Sequence, residues 1–261
     1  GAMAEQALAS LPIPKRMRWG SGDIEFVRPV HWVLALYGDL LVECEILGIR
    51  SDRTTRGHRF HHGGELVLER AENYAAHLAT HGHVLASFPT RRARILELVA
   101  AYCAEHGGAA VLNPALVDEV TALVEWPAVL GGTFDASFLE LPAEVLVASM
   151  QGHQKYFPVR DTDGRLSNRF LTVCNIESRD PAQVRTGNER VIRPRLADAA
   201  FFYRSDRMQP LASRLDQLGD MLFEKRLGTL RDKTVRVTRL ANRLATACAA
   251  DADAVTRAAT L

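Results

Sequence analysis

Cysteine is scarce in this sequence, and its spacing excludes two common kinds of small-protein scaffold. The four cysteines, Cys44, Cys103, Cys174 and Cys248, lie far apart, and no two of them form a CxxC pair. A structural zinc site or a disulfide framework needs ligands at closer spacing than this. We therefore expect free thiols in a reducing cytoplasm and no metal site.

Long apolar runs and the common catalytic loops are also missing. No apolar run approaches the roughly 20 residues that a membrane helix needs, so we expect a cytoplasmic protein with no membrane partner. The sequence contains no GxxxxGK[ST] loop, no GxSxG elbow and no HxE motif with CxxC. Phosphoryl-transfer, hydrolase and zinc-deaminase interpretations therefore lack their minimum parts.

Lysine is rare as well, although positive charge is not. Lys15, Lys155, Lys225 and Lys233 are the only lysines among 32 basic residues, and the formal net charge is +1. The planar guanidinium group of arginine suits bidentate contact with phosphate, but a GC-rich genome would produce the same bias. Net charge is therefore a weak guide to a nucleic-acid partner here.

The first half of the sequence predicts a hairpin followed by a loop. A β-rich stretch from Val30 to Ile49 is interrupted by Gly38-Asp39, which is a hairpin signal. The polar run from Arg50 to His62 has no periodicity, so it is predicted to be an exposed loop.

Helical spacing and capping residues predict three helices beyond that loop. Thr90 to His106 carries its apolar residues on one side, and Asn113-Pro114 is an N-cap followed by proline, starting a helix that reaches about Val124. A third helix is predicted from Leu141 to Met150. Two strands follow, Lys155 to Arg160 and Arg165 to Ile176, joined by a turn at Asp163-Gly164.

The predicted fold class is α+β: a mixed α/β domain with a largely antiparallel sheet, followed by an all-helical domain. After Pro181 the strand pattern ends, and helical spacing continues in Arg195 to Arg207, Leu211 to Leu222 and Arg231 to Ala250. We predict a tag and loose lead-in over residues 1–16, with Gly1-Ala2-Met3 as a cloning scar and order from about Met17. The α/β domain is assigned to residues 17–207 and the helical domain to residues 208–261.

The polar run supplies the first candidate binding residues. Arg53, Arg56, His58 and Arg59 are candidates for contact with phosphate or a partner, because the intervening glycine lets the backbone approach a ligand. The alternative is a structural role, in which the arginines cap neighbouring backbone carbonyl groups. His58, His61 and His62 are interpreted as a solvated loop and not as metal ligands, since no carboxylate or thiolate cluster accompanies them.

A second candidate group lies where a helix gives way to a strand. His153, Gln154 and Lys155 are predicted to emerge at a sheet edge, where they would hold a phosphate or sugar. Of the next two aromatic residues, Tyr156 is a candidate for stacking on a base and Phe157 is expected in the core. A purely structural role for this segment is the alternative.

The third group comprises Asn188, Arg190 and Arg195. Thr186 or Asn188 would equally cap the helix that follows, which is a structural role. Arg195 is three residues from Asp198 and is predicted to form an ion pair with it. Phe201-Phe202 is predicted to anchor the helix in the core.

Six short motifs, in order along the chain, carry a resemblance. They are Met17-Arg18-Trp19-Gly20, Arg28-Pro29-Val30-His31-Trp32, Thr55-Arg56-Gly57-His58-Arg59-Phe60, Val124-Glu125-Trp126-Pro127, the segment Met150 to Phe157, and Gly187 to Val191 with Arg195 to Phe202. Together they resemble the beta subunit of the bacterial two-subunit glycyl-tRNA synthetase, from about Met17 to about Arg243. The family's beta subunit is much longer, so the resemblance implies an excised fragment that ends early in an HD-like helical region and lacks the anticodon-binding domain.

The resemblance also implies a division of labour. Adenylate formation, with ATP, magnesium and glycine, belongs to the separate alpha subunit, while the beta subunit binds tRNA(Gly) and is required for charging. We therefore expect no catalytic residue and no cofactor in this chain, and we interpret the ten candidates named above as RNA-binding residues. One rival is a hydrolytic proofreading module, by analogy with the editing-type domain of phenylalanyl-tRNA synthetase beta chains, and another is a structural bridge. A polar pocket with an activatable nucleophile would favour proofreading, and an open basic face would favour RNA binding.

Overall fold

Eight helices and fifteen short strands lie within residues 1–261, all of which are described by the computed structural model. The helices are α1 (Ala2–Ser10), α2 (Tyr74–His77), α3 (Phe88–His106), α4 (Pro114–Leu123), α5 (Ala143–Gln154), α6 (Pro181–Arg207), α7 (Leu230–Cys248) and α8 (Ala252–Thr260). The strands are β1 (Met17–Arg18), β2 (Glu25–Phe26), β3 (Val33–Leu34), β4 (Leu36–Tyr37), β5 (Leu40–Leu41), β6 (Glu45–Ile46), β7 (Ile49–Asp52), β8 (Thr54–Arg56), β9 (Glu65–Val67), β10 (Ala109–Ala110), β11 (Ala128–Thr133), β12 (Phe157–Arg160), β13 (Leu166–Cys174), β14 (Leu222–Glu224) and β15 (Gly228–Thr229).

The largest sheet has four antiparallel strands in the order β10-β12-β13-β11. The predicted hairpin is confirmed, since β12 pairs with β13 and Phe157 lies opposite Leu171. Its turn contains Gly164 at a φ of 78°, a conformation that glycine adopts without steric cost. The predicted mixed α/β class with largely antiparallel pairing is therefore confirmed.

Helices α3 and α4 pack their apolar sides on this sheet. As predicted, Asn113 caps α4: its side-chain oxygen accepts a hydrogen bond from the Ala115 backbone N–H at 3.0 Å, and Pro114 occupies the first turn. The side chains between the helices and the sheet form one buried cluster. Its members are Ile95, Val99, Leu116, Val117, Val120, Val124, Phe157, Val159 and Leu171.

Two adjacent glycines in β11 allow close packing on both faces of the sheet. A Cβ atom on Gly131 would overlap the Tyr102 side chain of α3, and a Cβ atom on Gly132 would overlap the ring of Phe170. Phe170 in turn stacks on Tyr156, with ring centroids 4.5 Å apart. The sheet is therefore buried on both faces near its centre.

The short strands before residue 68 confirm one prediction and overturn another. The hairpin at Gly38-Asp39 is confirmed by the pairing of β4 with β5. The exposed loop predicted from Arg50 to His62 is wrong, because β7 and β8 occupy its first half and Thr55 and His58 are buried. The lead-in over residues 1–16 contains α1, none of whose residues is buried, and the Arg16 guanidinium donates to the Ala9 carbonyl oxygen at 2.8 Å. Its assignment as a tag and loose lead-in stays a prediction.

The chain divides into two compact units, residues 1–196 and 197–261, with the division inside α6. In the second unit a capping box opens α7, where Thr229 and Asp232 bond each other's backbone N–H. The all-helical expectation is wrong here, because β14 and β15 pair as a short hairpin. The domain limits of 17–207 and 208–261 stay a prediction, since compactness does not show that a part folds alone.

Helix α6 begins at Pro181, well before the predicted start at Arg195, and it continues through Pro194. Proline removes one backbone donor from a helix, but Ile192 and Leu196 are fully buried on either side and fix the path of the chain. Phe201 and Phe202, predicted to lie in the core, are 66% and 61% exposed. None of the helices is both long enough and apolar enough to cross a bilayer.

Candidate nucleic-acid interface

Three of the four arginines in the predicted loop are candidate binding residues, and these three have different surroundings. The half-buried Arg53 donates to the carbonyl oxygens of Leu68 and Asp39 at 3.3 and 3.4 Å, which is the structural alternative foreseen for these arginines. Arg56 is exposed and lies 3.4 Å from the Glu65 carboxylate. Arg59 is exposed and takes part in no salt bridge, so it alone of the three presents a free cation.

His58 is buried, which corrects its assignment to a solvated loop. Its backbone N–H donates to the Gly82 carbonyl oxygen at 2.7 Å, and its ring Nδ1 accepts from the Phe60 backbone N–H at 3.3 Å. A Cβ atom on Gly57 would overlap the Gly82 backbone. The glycine of this motif therefore allows a close approach to the chain's own backbone, and His58 has an internal role.

His61 connects this segment to the residues that precede α6. Its ring Nε2 accepts a hydrogen bond from the Glu177 backbone N–H at 3.1 Å, and its ring stacks on His83 at 5.2 Å. Burial lowers the pKa of His61, assisted by the neighbouring His58 and His83, so the ring is neutral at pH 7 as an acceptor must be. No group of three or more histidine, cysteine or carboxylate side chains is arranged to hold a metal ion.

The lysine between α5 and β12 forms a salt bridge within the chain. Lys155 has a left-handed backbone with a φ of 59°, and its Nζ lies 2.9 Å from the Glu119 carboxylate on α4. His153 is exposed and Gln154 is half-buried. Of the three, His153 is the most available to a ligand.

Tyr156 and Phe157 are both buried, so the prediction that Tyr156 stacks on a base is wrong, whereas the core position of Phe157 is confirmed. The Tyr156 hydroxyl donates to Asn188 Oδ1 on α6 at 2.6 Å. Burial, with a smaller contribution from Cys174, raises the pKa of Tyr156 to about 12. The hydroxyl therefore stays protonated and remains a donor at neutral pH.

Two hydrogen-bonded side chains hold α6 to the sheet. Asn188 joins Tyr156 through its Oδ1 and donates through its Nδ2 to the Val184 carbonyl oxygen at 2.7 Å. Glu189 accepts from the Thr133 backbone N–H at 2.9 Å. The predicted cap at Thr186 or Asn188 is wrong, because both residues lie inside α6.

Substitution of Tyr156 by phenylalanine tests this attachment. We expect the free energy of unfolding to fall by about 1 kcal/mol, because Asn188 loses its partner while the stacked ring remains. Urea denaturation measures the change, and Tyr102→Phe is the matched control, since the Tyr102 hydroxyl makes no side-chain hydrogen bond. Equal effects of the two substitutions would show that the bond to Asn188 contributes nothing.

Four exposed arginines on α6, Arg185, Arg190, Arg193 and Arg195, are here named the α6 arginines. None takes part in a salt bridge, and the predicted pair between Arg195 and Asp198 does not form. The one carboxylate within this stretch, Glu189, is held by Thr133. The charge of Arg193 acts weakly on one carboxylate outside this stretch. The pKa of Asp135 is lowered mainly by hydrogen bonds from Ser137 and to a smaller extent by Arg193.

The α6 arginines give this helix an excess of unpaired positive charge. Arg190 and Arg193 are three residues apart and so project from the same side of the helix. Unpaired guanidinium groups at this spacing suit the phosphates of a nucleic-acid backbone. Arg185 and Arg193 were missed at the sequence level, although four arginines with one carboxylate in eleven positions was an available signal.

Two cavities bear on the hydrolytic alternative. A cavity of about 400 Å³ beside Trp126 is lined by Leu85, Ala93 and Pro127 and also by Arg94, Glu97 and Glu177. Both glutamates have partners, since Glu97 is paired with Arg94 at 3.4 Å and Glu177 accepts a hydrogen bond from the Trp126 indole N–H at 3.1 Å. A polar cavity of about 230 Å³ beside Trp32 contains the Thr54 hydroxyl, which donates to Asp52 at 2.8 Å. Hydrogen bonds from the Arg53 backbone and from Thr54 lower the pKa of Asp52, so this carboxylate is a weak general base.

Comparison with known families decides what kind of protein carries this surface. The family described as "Glycyl-tRNA synthetase beta subunit" matches residues 1–261 of the chain. The chain belongs to this family.

Similar proteins include glycine–tRNA ligase beta subunits from several bacteria. The one from Hahella chejuensis is 50% identical over 244 residues, which covers 94% of this chain and 35% of that protein. The one from Photorhabdus laumondii is 50% identical over 260 residues, covering 100% of this chain and 38% of that protein. This member of the beta-subunit family thus spans little more than a third of the length of these relatives.

Proposed function

We propose that this chain is a tRNA-binding, non-catalytic part of a glycine–tRNA ligase beta subunit, and that it acts with the alpha subunit in the synthesis of glycyl-tRNA. Membership of the beta-subunit family supports the reaction. The relatives are named as glycine–tRNA ligase beta subunits, which supports an alpha-subunit partner. The proposal implies a cytoplasmic location, where tRNA is charged.

The observation that carries the tRNA-binding role is the set of unpaired α6 arginines. Neutralising phosphates with arginine releases condensed counterions, and this term supplies most non-specific affinity for nucleic acid. Among the ten sequence candidates, Arg59, Arg190 and Arg195 are exposed cations without a salt bridge, and His153 is also exposed. Arg53, His58, Lys155 and Asn188 instead have partners within the chain.

In this proposal the chemistry lies elsewhere. ATP, magnesium and glycine are bound by the alpha subunit, where the adenylate forms. The beta chain holds tRNA(Gly) so that its acceptor end reaches that site. From the family resemblance we also infer that the residues from 208 onward lead into an HD-like helical domain.

Proofreading is the weaker hypothesis on this chain. Hydrolysis of a mischarged ester needs a nucleophile or a held water beside an effective base. The Thr54 hydroxyl is paired with a carboxylate whose pKa is lowered, and the two glutamates of the cavity beside Trp126 already have partners within the chain. An open cationic helix is a better match to a binding role.

Direct titration of the chain with fluorescein-labelled tRNA(Gly) tests the proposal. We expect binding that weakens steadily between about 50 and 200 mM salt, because phosphate contacts dominate. Fluorescence anisotropy measures the affinity at each salt concentration, and a polyglutamate chain of similar charge is the control polyanion. Absence of tRNA binding at the lowest salt, or equal affinity for polyglutamate, would contradict the proposed role.

A further inference from the structure

The polar cavity beside Trp32 brings together residues from two of the six sequence motifs. His31 and Trp32 come from the segment before β3, and Thr55 and Arg56 come from β8. The Trp32 indole N–H donates to the Thr55 hydroxyl at 3.2 Å, and Thr55 itself is buried. The indole ring is therefore held in place although 44% of the residue is exposed.

Of the charged side chains near this ring, all but one have partners within the chain. The Arg56 guanidinium carbon lies 5.7 Å from the Trp32 ring centroid, and the same guanidinium group is paired with Glu65. Asp52 is also engaged, since it accepts hydrogen bonds from the Arg53 backbone N–H at 2.7 Å and from Thr54. Arg50, in contrast, lines the cavity, is exposed and takes part in no salt bridge.

A fixed aromatic ring beside an unpaired guanidinium matches the two ends of a nucleotide. Bases stack on exposed aromatic side chains, and arginine binds phosphate oxygens in pairs. The cavity, of about 230 Å³, has room for a single base. A base is free to enter it only where the RNA is unstacked. Proteins read single-stranded RNA in this way, by taking splayed bases onto aromatic platforms.

We propose that the Trp32 cavity takes one unstacked nucleotide of a single-stranded RNA segment, with its base on Trp32 and its phosphate on Arg50. The inference rests on the proposed function, because it assigns the RNA a second and more selective contact than the α6 arginines. It adds a preference for unpaired RNA, which an electrostatic surface alone does not provide.

The test compares a short single-stranded oligoribonucleotide with a duplex of the same length, using the whole chain. We expect Trp32→Leu to weaken binding of the single strand by about 5- to 100-fold, as loss of one stacked base does, and to leave duplex binding unchanged. Trp32→Phe should restore most of the affinity, because it keeps a stacking ring. Arg50→Gln should weaken the single strand and reduce the salt slope by about 0.7.

Tyr37→Leu is the matched control, since Tyr37 is an exposed aromatic residue that does not line this cavity. Thermal unfolding of every variant confirms that the fold is retained. Unchanged single-strand affinity in Trp32→Leu overturns the inference, and so does an equal loss for duplex and single strand. If free AMP binds as tightly as the oligonucleotide, the cavity is a small-molecule site and its RNA assignment is wrong.

The proposed function and this inference fail in different ways. If the cavity variants bind the single strand as the parent chain does while tRNA binding persists, only the nucleotide site is wrong. If neither tRNA nor the oligonucleotide binds at low salt, both proposals are wrong.

Discussion

Replacing the four α6 arginines with glutamine is expected to weaken tRNA binding by about 10²- to 10³-fold at roughly 0.1 M salt. Each phosphate contact contributes about 0.9 to the slope of log affinity against log salt, so the slope should become less steep by up to about 3.6. Glutamine is a good helix former and keeps much of the side-chain length, so α6 should remain intact. Anisotropy titration at several salt concentrations measures both quantities.

The control variant loses the same number of positive charges, but at arginines that already form salt bridges. Arg18, Arg70, Arg92 and Arg94 each form a salt bridge with a neighbouring carboxylate. Replacing these four with glutamine should change tRNA affinity much less, because their charge is already compensated. An equal loss in both quadruple variants would mean that only net charge matters and that α6 is not the contact surface.

Much of the secondary structure of the first unit could be predicted from the sequence, because the residues that determine it contact residues close to them in the chain. Asn113 caps α4 through a bond two residues along the chain, and Gly164 adopts the positive φ that its hairpin turn requires. Such contacts depend only on a few residues that are adjacent in the sequence. The strand pair β12 and β13 and the helices α3 and α4 were accessible for that reason.

The failures occurred where distant contacts override local preference. Pro194 and Gly187 argue against a helix, yet α6 passes through both because Ile192, Leu196 and Asn188 are fixed by other elements. His58 belongs to a polar run but is buried against Gly82, which lies 24 residues further along the chain. Hydrophobic periodicity carries no information about such pairings.

The candidate site was predicted less well than the fold for a related reason. Polar residues in a motif serve internal bonding as often as ligand contact, and sequence does not separate the two uses. Lys155 pairs with Glu119, and Asn188 receives the Tyr156 hydroxyl. The α6 arginines differ because the single carboxylate among them is occupied elsewhere, which only the structure reveals.

Substitution of Phe157 by alanine is expected to lower the free energy of unfolding by about 3–5 kcal/mol. Phe157 is fully buried, and its ring belongs to the cluster shared by α3, α4, β12 and β13. Removing it leaves a cavity that helices packed on a sheet fill only in part. Thermal denaturation should show a fall in the melting temperature of roughly 10 °C.

Phe60→Ala is the control, because Phe60 is 74% exposed and its loss should change stability by no more than about 0.5 kcal/mol. Phe157 also stands in a motif rich in candidate RNA contacts, so the variant separates two roles for its ring. A core role lowers stability first and affects RNA binding only through unfolding. A variant that keeps its stability but loses tRNA affinity would place the Phe157 ring in contact with RNA and contradict its assignment to the core.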